Sequence, residues 1–228
     1  WLLARLSFGW RKPKKSILGS ELAGVVEAVG KAVTQFKPGD QVFAYAGMNM
    51  GAYAEYICLP ATGMVARKPT NLSYAEAAAL PYGGIMALSL LRKGNLQAGQ
   101  KILINGASGG IGSLAVQLAK HFGAEVTGVC STPRVEYVKA LGADQVLDYT
   151  KTDFTQGSER YDLIFDILGR SSFDRCRQVL TPNGTYLLAS FKGDKLLQML
   201  WTARRGGQKV ICAFANEQVA DLLLLKEL

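Results

Sequence analysis

The chain has 228 residues, enough for one large or two smaller domains, and its 49% hydrophobic content can fill a core. Its formal charge is +8, no apolar run approaches the roughly 20 residues that span a bilayer, and Cys58, Cys130, Cys176 and Cys212 have neither disulfide-framework nor metal-ligand spacing. These features exclude a transmembrane helix, a disulfide-stapled secreted domain and a cysteine-built metal site, and they lead us to expect a reduced, cytoplasmic protein.

The opening WLLARLSFGWRKPKK carries Arg5, Arg11, Lys12, Lys14 and Lys15 without an acid. Such a cluster suits nucleic acid or an anionic surface. Pro13 in its middle argues against a recognition helix, so neither nucleic acid nor a membrane is expected as a partner. The opening lacks Met and the pattern of a signal peptide, and the chain reads as a fragment.

From Ile17 to about Arg67 the text alternates strands and turns: ELAGVVEAVG, a turn at Lys37-Pro38-Gly39-Asp40, QVFAYAG and GAYAEYICLP. Punctuation by Pro and Gly every 8 to 12 residues or so predicts a small barrel-like antiparallel unit. Ser73 with Glu76 three residues on is a capping box that opens an alanine-rich helix. Gly83-Gly84 then leads into an apolar helix, Ile85 to Leu91, expected as the hinge region. The expected division is a first domain over 1–87 and a second over 88–228.

Lys101 to Asn105 is an Ile- and Leu-rich run suited to a strand buried on both faces of a parallel sheet. After it, Ile111, Leu114, Ala115, Leu118, Ala119 and Phe122 form one apolar stripe on a helix that Gly123 stops. Between strand and helix, Ala107-Ser108-Gly109-Gly110-Ile111-Gly112 is a dinucleotide-binding fingerprint with Ala in the first glycine position. Gly109 lets backbone N–H groups approach a pyrophosphate, and Gly112 lets the helix sit close. The helix N-terminus offers unpaired donors and about half a positive charge.

The next strand, Glu125 to Cys130, identifies the cofactor. A NAD-binding fold places Asp or Glu at its end to hold the ribose 2′-hydroxyl, but that position holds Cys130, followed by Ser131, Thr132 and Arg134. Hydroxyls and a guanidinium suit a 2′-phosphate, and the cofactor expected is NADPH. Further strands are read at Gln145–Leu147, Asp162–Ile167, Thr185–Ser190 and Lys209–Phe214, with a last helix from about Gln218. The fold class is therefore α/β, a doubly wound parallel Rossmann sheet of six strands behind a partial β-barrel domain. The lone His121 falls at the far end of the glycine-loop helix, so no His-based acid/base or nucleophilic mechanism is expected.

GSELAGVVEAVG, FKPGDQVF, GAYAEY, AAALPYGG, NGASGGIGSLAVQLAK and LGADQVLDY, in this order, resemble the zinc-independent quinone oxidoreductase (zeta-crystallin-like) branch of the medium-chain dehydrogenase/reductase superfamily. The resemblance implies that the first domain is a partial GroES-like catalytic domain lacking its first strands and closing segment. Where zinc alcohol dehydrogenases have Gly-His-Glu this chain has Gly19-Ser20-Glu21, and where a second ligand is a Cys it has Tyr82; Ser20 cannot replace an imidazole on zinc. The structural-zinc lobe is absent from the sequence too. The activity implied is hydride transfer from NADPH to a quinone or an α,β-unsaturated carbonyl, which needs position and a dry cleft more than a Lewis acid.

The resemblance places Ser108 to Ile111 on the pyrophosphate turn, Ser131 and Arg134 on the 2′-phosphate, and Tyr149 closing over that phosphate. Leu168-Gly169-Arg170 and Ser190-Phe191 fall at carboxyl ends of strands, where ligands bind in such sheets. Tyr45, Asn49 and Tyr82 are cleft candidates, with no catalytic residue assigned, and Lys209 to Phe214 is the expected homodimer edge. Two rivals are weighed. NGASGGIG also resembles the short-chain dehydrogenase signature, but no Tyr here has a Lys four residues on. The other is an NADPH-binding module without turnover, since the family includes lens crystallins and membrane-vesicle adaptors.

Overall fold

A computed structural model describes residues 9, 10, 12 and 14–228; Arg5, Arg11 and Pro13 of the basic opening lie outside the described residues. The chain forms two units, Trp1–Tyr82 with Glu217–Leu228, and Gly83–Asn216.

The first unit holds an antiparallel sheet of β1 (Glu21–Val25), β2 (Gln41–Tyr45) and β3 (Val65–Arg67), in that order. Central β2 supplies the core with Val42, Phe43 and Ala44, and Phe43 pairs with Ala23 on one side and Ala66 on the other. The expected turn before it is closed by Asp40, whose side chain accepts the Lys37 N–H at 3.0 Å and pairs with Arg67 at 3.0 Å. The stretch Gly51 to Pro60, expected as a strand, is irregular. Its tyrosines, Tyr53 and Tyr56, are 79% and 75% exposed, so its alternation buries neither aromatic ring. The third strand is instead the three-residue Val65–Arg67, between Gly63 and Pro69. Helix α1 (Tyr74–Ala78) carries the expected capping box: the Ser73 Oγ accepts the Glu76 N–H at 3.3 Å, and the Glu76 carboxylate accepts the Ser73 N–H at 2.8 Å.

The second unit takes in helix α2 (Pro81–Lys93) from Gly83 and then alternates strand and helix: β4 (Lys101–Asn105), α3 (Gly110–His121), β5 (Glu125–Cys130), α4 (Val135–Ala140), β6 (Gln145–Asp148), β7 (Tyr161–Asp166), α5 (Phe173–Cys176), β8 (Leu180–Leu188), α6 (Gly193–Arg205) and β9 (Lys209–Cys212). The strands form one parallel sheet in the order β6-β5-β4-β7-β8-β9. All six expected strands are present, with β8 starting five residues early and β9 ending two residues early. The last helix, α7 (Val219–Glu227), belongs to the first unit and buries Leu222 and Leu225.

Apolar burial holds this sheet together. Ile102, Leu103 and Ile104 of β4 and Ile164 and Phe165 of β7 are fully buried, each contributing about 1.5–3 kcal/mol at most. A surface pair such as Lys139–Glu136, three residues apart on α4, contributes about 0.3–0.5 kcal/mol. Chain order reverses between β4 and β7: β4 leads through α3 to β5 on one side, while β7 and β8 build outward on the other. Ligands bind at such a switch point, outside the carboxyl ends of the strands.

Asp144 fastens the opposite, amino end of β5. Its carboxylate accepts the Val126 N–H at 2.7 Å and meets the Lys120 ammonium, at the end of α3, at 2.7 Å. Burial raises this carboxyl, but the Lys120 and Val126 donors outweigh burial and hold it below the ordinary value of 3.8. A carboxyl lowered in the folded state contributes stability above its unfolded pKa and loses it as pH falls through the folded one. Asp144→Asn is expected to reduce stability at neutral pH and to flatten the acid limb of stability against pH, measured by urea unfolding; an unchanged curve would contradict this.

Candidate functional site

The turn from β4 to α3 is built from backbone. Gly106 has φ +97°, and the Gly106 and Ala107 N–H groups both donate to the Val129 carbonyl, at 3.1 and 3.0 Å, hooking the turn over β5. The Gly109 N–H returns to the Gly106 carbonyl at 3.1 Å. Gly109 then caps α3 with no side-chain bond, and the first bond reaching back across the helix start is Ser113 N–H to the Gly109 carbonyl at 2.8 Å. Gly109 and Gly110 are exposed, so the first amides of α3 open to solvent. A Cβ on Gly110 would find no atom within 4 Å, whereas one on Gly112 would lie 2.0 Å from the Gly106 carbonyl oxygen. An open cradle of amides at a helix N-terminus fits a dinucleotide pyrophosphate.

Beside it, Cys130 ends β5 buried, Ser131 is half-buried, and Thr132–Arg134 make a short 3₁₀ turn that leaves Arg134 exposed. The parallel register sets Cys130 against Asp148 of β6. Asp148 accepts the Thr132 hydroxyl at 2.5 Å, the Thr150 hydroxyl at 2.7 Å and the Thr150 N–H at 3.0 Å. Thr132 foremost, with Thr150 and the Lys151 ammonium, holds its carboxyl below the usual aspartate range. Both threonine protons are therefore committed to a carboxylate on β6, three strands from β7. The Tyr149 N–H donates to the Cys130 carbonyl at 3.1 Å and its side chain is exposed. This acid–threonine cluster was missed by sequence reasoning, because Thr132 and Asp148 meet only through the β5–β6 register.

On the other side of β4, the buried Asp166 ends β7 and collects four donors. The Asn105 amide and the Gly169 N–H reach one oxygen at 3.0 and 3.1 Å; the Ser171 N–H and the Tyr186 hydroxyl reach the other at 3.0 and 2.7 Å. A buried carboxylate is tolerable only with such company. The effect is to fold the loop Leu168-Gly169-Arg170 into one shape. Gly169 has φ +63°, and a Cβ there would lie 2.2 Å from the Ser190 carbonyl oxygen, so this loop presses on the end of β8. Leu168, half exposed, packs its side chain against Gly106. Burial first, then the Asp166 charge, raises the Tyr186 hydroxyl far above its ordinary value, and the same two causes push the Cys176 thiol up to about 12.

The structure thus gathers Ser108, Gly109, Gly110, Ile111, Gly112, Leu168 and Ser190 around the carboxyl ends of β4, β7 and β8, and Ser131, Arg134 and Tyr149 at those of β5 and β6. His121 lies at the other end of α3, about 16 Å along the helix from Gly110, edge-on to Phe122. Ser20 takes part through its carbonyl, which accepts the Ala46 N–H at 2.6 Å. In the first unit the rings of Tyr45 and Tyr82 lie 5.9 Å apart, and the Tyr82 N–H donates to Glu21 at 2.8 Å. Burial, and then the charge of Glu217, pushes the Tyr45 hydroxyl up to about 12; burial also raises the Glu21 carboxyl against its Tyr82 N–H bond. Asn49 ends the short turn Gly47–Asn49 nearby in sequence.

Residues 4–70 match the alcohol dehydrogenase GroES-like domain family, and residues 110–205 the family described as zinc-binding dehydrogenase. The quinone oxidoreductase of Pseudomonas syringae pv. Tomato superposes with a TM-score of 0.73 at 30% identity, over 92% of this chain and 68% of that one. The chain belongs to the quinone oxidoreductase branch of the medium-chain dehydrogenase/reductase superfamily. Two relatives are the 2-methylene-furan-3-one reductase of Solanum lycopersicum, 42% identical over 77% of this chain and 47% of that protein, and the chloroplastic NADPH-dependent alkenal/one oxidoreductase of Arabidopsis thaliana, 37% identical over 75% and 46%. The chain therefore spans about half the length of these curated relatives. No group of three or more His, Cys, Asp or Glu that could hold a metal is found among the described residues. No helix among the described residues is long and apolar enough to cross a membrane.

Tyr186→Phe removes one of four donors to a buried carboxylate and is expected to cost about 1–3 kcal/mol in urea unfolding. A cost near zero would show that the other three donors suffice.

Proposed function

We propose that this chain carries the cofactor site of a zinc-independent NADPH-dependent oxidoreductase that reduces a quinone or an α,β-unsaturated carbonyl such as an alkenal or enone. The observation carrying this reading is the pairing of an uncapped amide cradle at α3 with a neighbouring strand end that offers Ser131 and Arg134 in place of a ribose-binding acid. Arg134 makes no ion pair among the described residues. Of the carboxylates nearest it in the fold, Asp148 is occupied by Thr132 and Thr150, and Glu136 pairs with Lys139. NADPH is favoured over NADH on these grounds, supported by the name of the Arabidopsis relative.

In this reading Ser108, Gly109, Gly110, Ile111 and Gly112 hold the pyrophosphate by backbone amides and the α3 dipole. Ser131, Arg134 and Tyr149 hold the 2′-phosphate by charge-assisted and hydroxyl bonds. Leu168 and Ser190, set by the Asp166 network, flank the nicotinamide. The bound cofactor supplies a hydride for an electrophilic carbon whose own carbonyl takes up the charge. Tyr45, Asn49 and Tyr82 of the first unit are candidates for the substrate side, and no catalytic residue is assigned. The names of the relatives favour turnover over a non-catalytic NADPH-binding module.

A homodimer joined through the edge of β9 within Lys209–Phe214 fits the exposed margin of the sheet. The four free thiols fit a reducing, cytoplasmic setting. In chain order the proposed division is a partial GroES-like catalytic domain at 1–87 and an NADPH domain at 88–228, with α7 at its end belonging to the first unit.

The test is a titration of NADPH and NADH against the wild type and Arg134→Ala. NADPH binding is expected to weaken by about 1–3 kcal/mol with NADH unchanged. Equal weakening of both would overturn the assignment of the 2′-phosphate site. NADPH oxidation with quinones and 2-alkenals tests the acceptor class, and tight binding with no turnover on any of them would return the non-catalytic module.

A further inference from the structure

Helix α6 is packed inside out. Its inward stripe, recurring at i, i+3, i+4 and i+7, is Lys195, Gln198, Met199 and Thr202, half-buried or buried. The bonds on this side are polar: the Thr202 hydroxyl donates to the Gln198 carbonyl at 2.9 Å and accepts the Val210 N–H of β9 at 3.1 Å, and the Met199 Sδ receives the Cys212 N–H at 3.4 Å. The outward side holds Leu196, Leu197, Leu200 and Trp201, which are 40%, 69%, 56% and 47% exposed. A helix on the surface of a globular domain normally turns these faces the other way.

Two ridges run along the outer face at i, i+4 spacing: Leu196-Leu200-Arg204 and Leu197-Trp201-Arg205. Each apolar ridge ends in an arginine, and the Arg205 guanidinium stacks 4.0 Å from the centre of the Trp201 ring. The amino end carries the exposed Lys192, while the inward Lys195 pairs at 3.6 Å with Asp194, the sole acid from Lys192 to Arg205. We propose that this outer face of α6 docks on an anionic lipid surface, with the leucines and Trp201 seated among the acyl chains and Lys192, Arg204 and Arg205 on the lipid phosphates.

Charge selects the occupant. Cations stand at both ends of the helix, so a second copy laid on it in either direction sets cation against cation, whereas an anionic bilayer complements both ends at once. At 13 residues, about 20 Å, α6 is too short to span a bilayer and long enough to lie in its interface. Tryptophan at headgroup depth and arginines reaching up from an apolar face are what that interface accommodates. The edge of β9 lies in the plane of the sheet and α6 covers its face, so the dimer proposed above leaves the helix open. Docking does not depend on which nucleotide the chain binds.

Sedimentation with vesicles tests this. The chain is expected to bind vesicles of phosphatidylcholine mixed with phosphatidylglycerol at least about tenfold more tightly than phosphatidylcholine alone, with binding falling as salt rises. A blue shift in emission that Trp201→Phe removes is expected on binding. The pairs Leu197→Gln with Leu200→Gln, and Arg204→Gln with Arg205→Gln, are each expected to weaken binding by about tenfold, with circular dichroism and nucleotide affinity unchanged. Absence of binding, equal binding to neutral vesicles, or insensitivity to both pairs would overturn the proposal. So would a dimer in lipid-free solution that the leucine pair dissociates, since a second copy would then cover the face.

Discussion

The geometry of the proposed nucleotide site rests on a missing Cβ. Gly112 sits so close to the turn that a methyl there would lie 2.0 Å from the Gly106 carbonyl. That approach lets α3 start directly at the end of β4, with its first amides facing outward. Any side chain at Gly112 would push the helix away, and the amides that now converge would diverge. The Val129 carbonyl, taking two N–H groups at once, completes the clamp from β5. Since the backbone alone makes the cradle, it carries no formal charge and does not titrate.

The two sides of β4 handle a carboxylate differently, and the contrast explains what each can do. Asp166 is buried and has four donors, so its charge is spent on shaping the loop around Gly169. Asp148 lies nearer the surface and accepts hydrogen bonds from the hydroxyls of Thr132 and Thr150. The first arrangement produces rigidity. The second removes two neutral donors from the place proposed for a phosphate, which throws the burden of recognition onto Ser131 and Arg134.

Much of this was legible because it is local. The glycine spacing of the β4–α3 turn, the Ser73–Glu76 box and the short Val- and Ile-rich strands are each fixed by residues within a few positions of one another. Gly51 to Pro60 misled because alternation marks a strand only where one face is covered, and Tyr53 and Tyr56 face solvent. Val65–Arg67 was passed over because three residues carry no period. The Asp148 cluster and the Asp166 network needed strand register, joining residues 16 and 61 positions apart. For α6 the sequence contains the leucines and Trp201, but periodicity cannot tell which stripe turns inward when Met199 and Thr202 offer β9 specific bonds.

The state of the cysteines has a chemical consequence. Quinones and enals are soft electrophiles that alkylate thiolates, so an enzyme handling them is exposed to attack by its own substrate. Cys130, at the end of β5, and Cys176, beside Asp166, are buried, and burial first, then Asp148 and Asp166 as negative neighbours, raises both thiols away from the reactive thiolate. Cys58, in the irregular stretch of the first unit, is exposed. Under the proposed activity, alkylation would therefore begin at the exposed Cys58 and reach the buried Cys130 and Cys176 last.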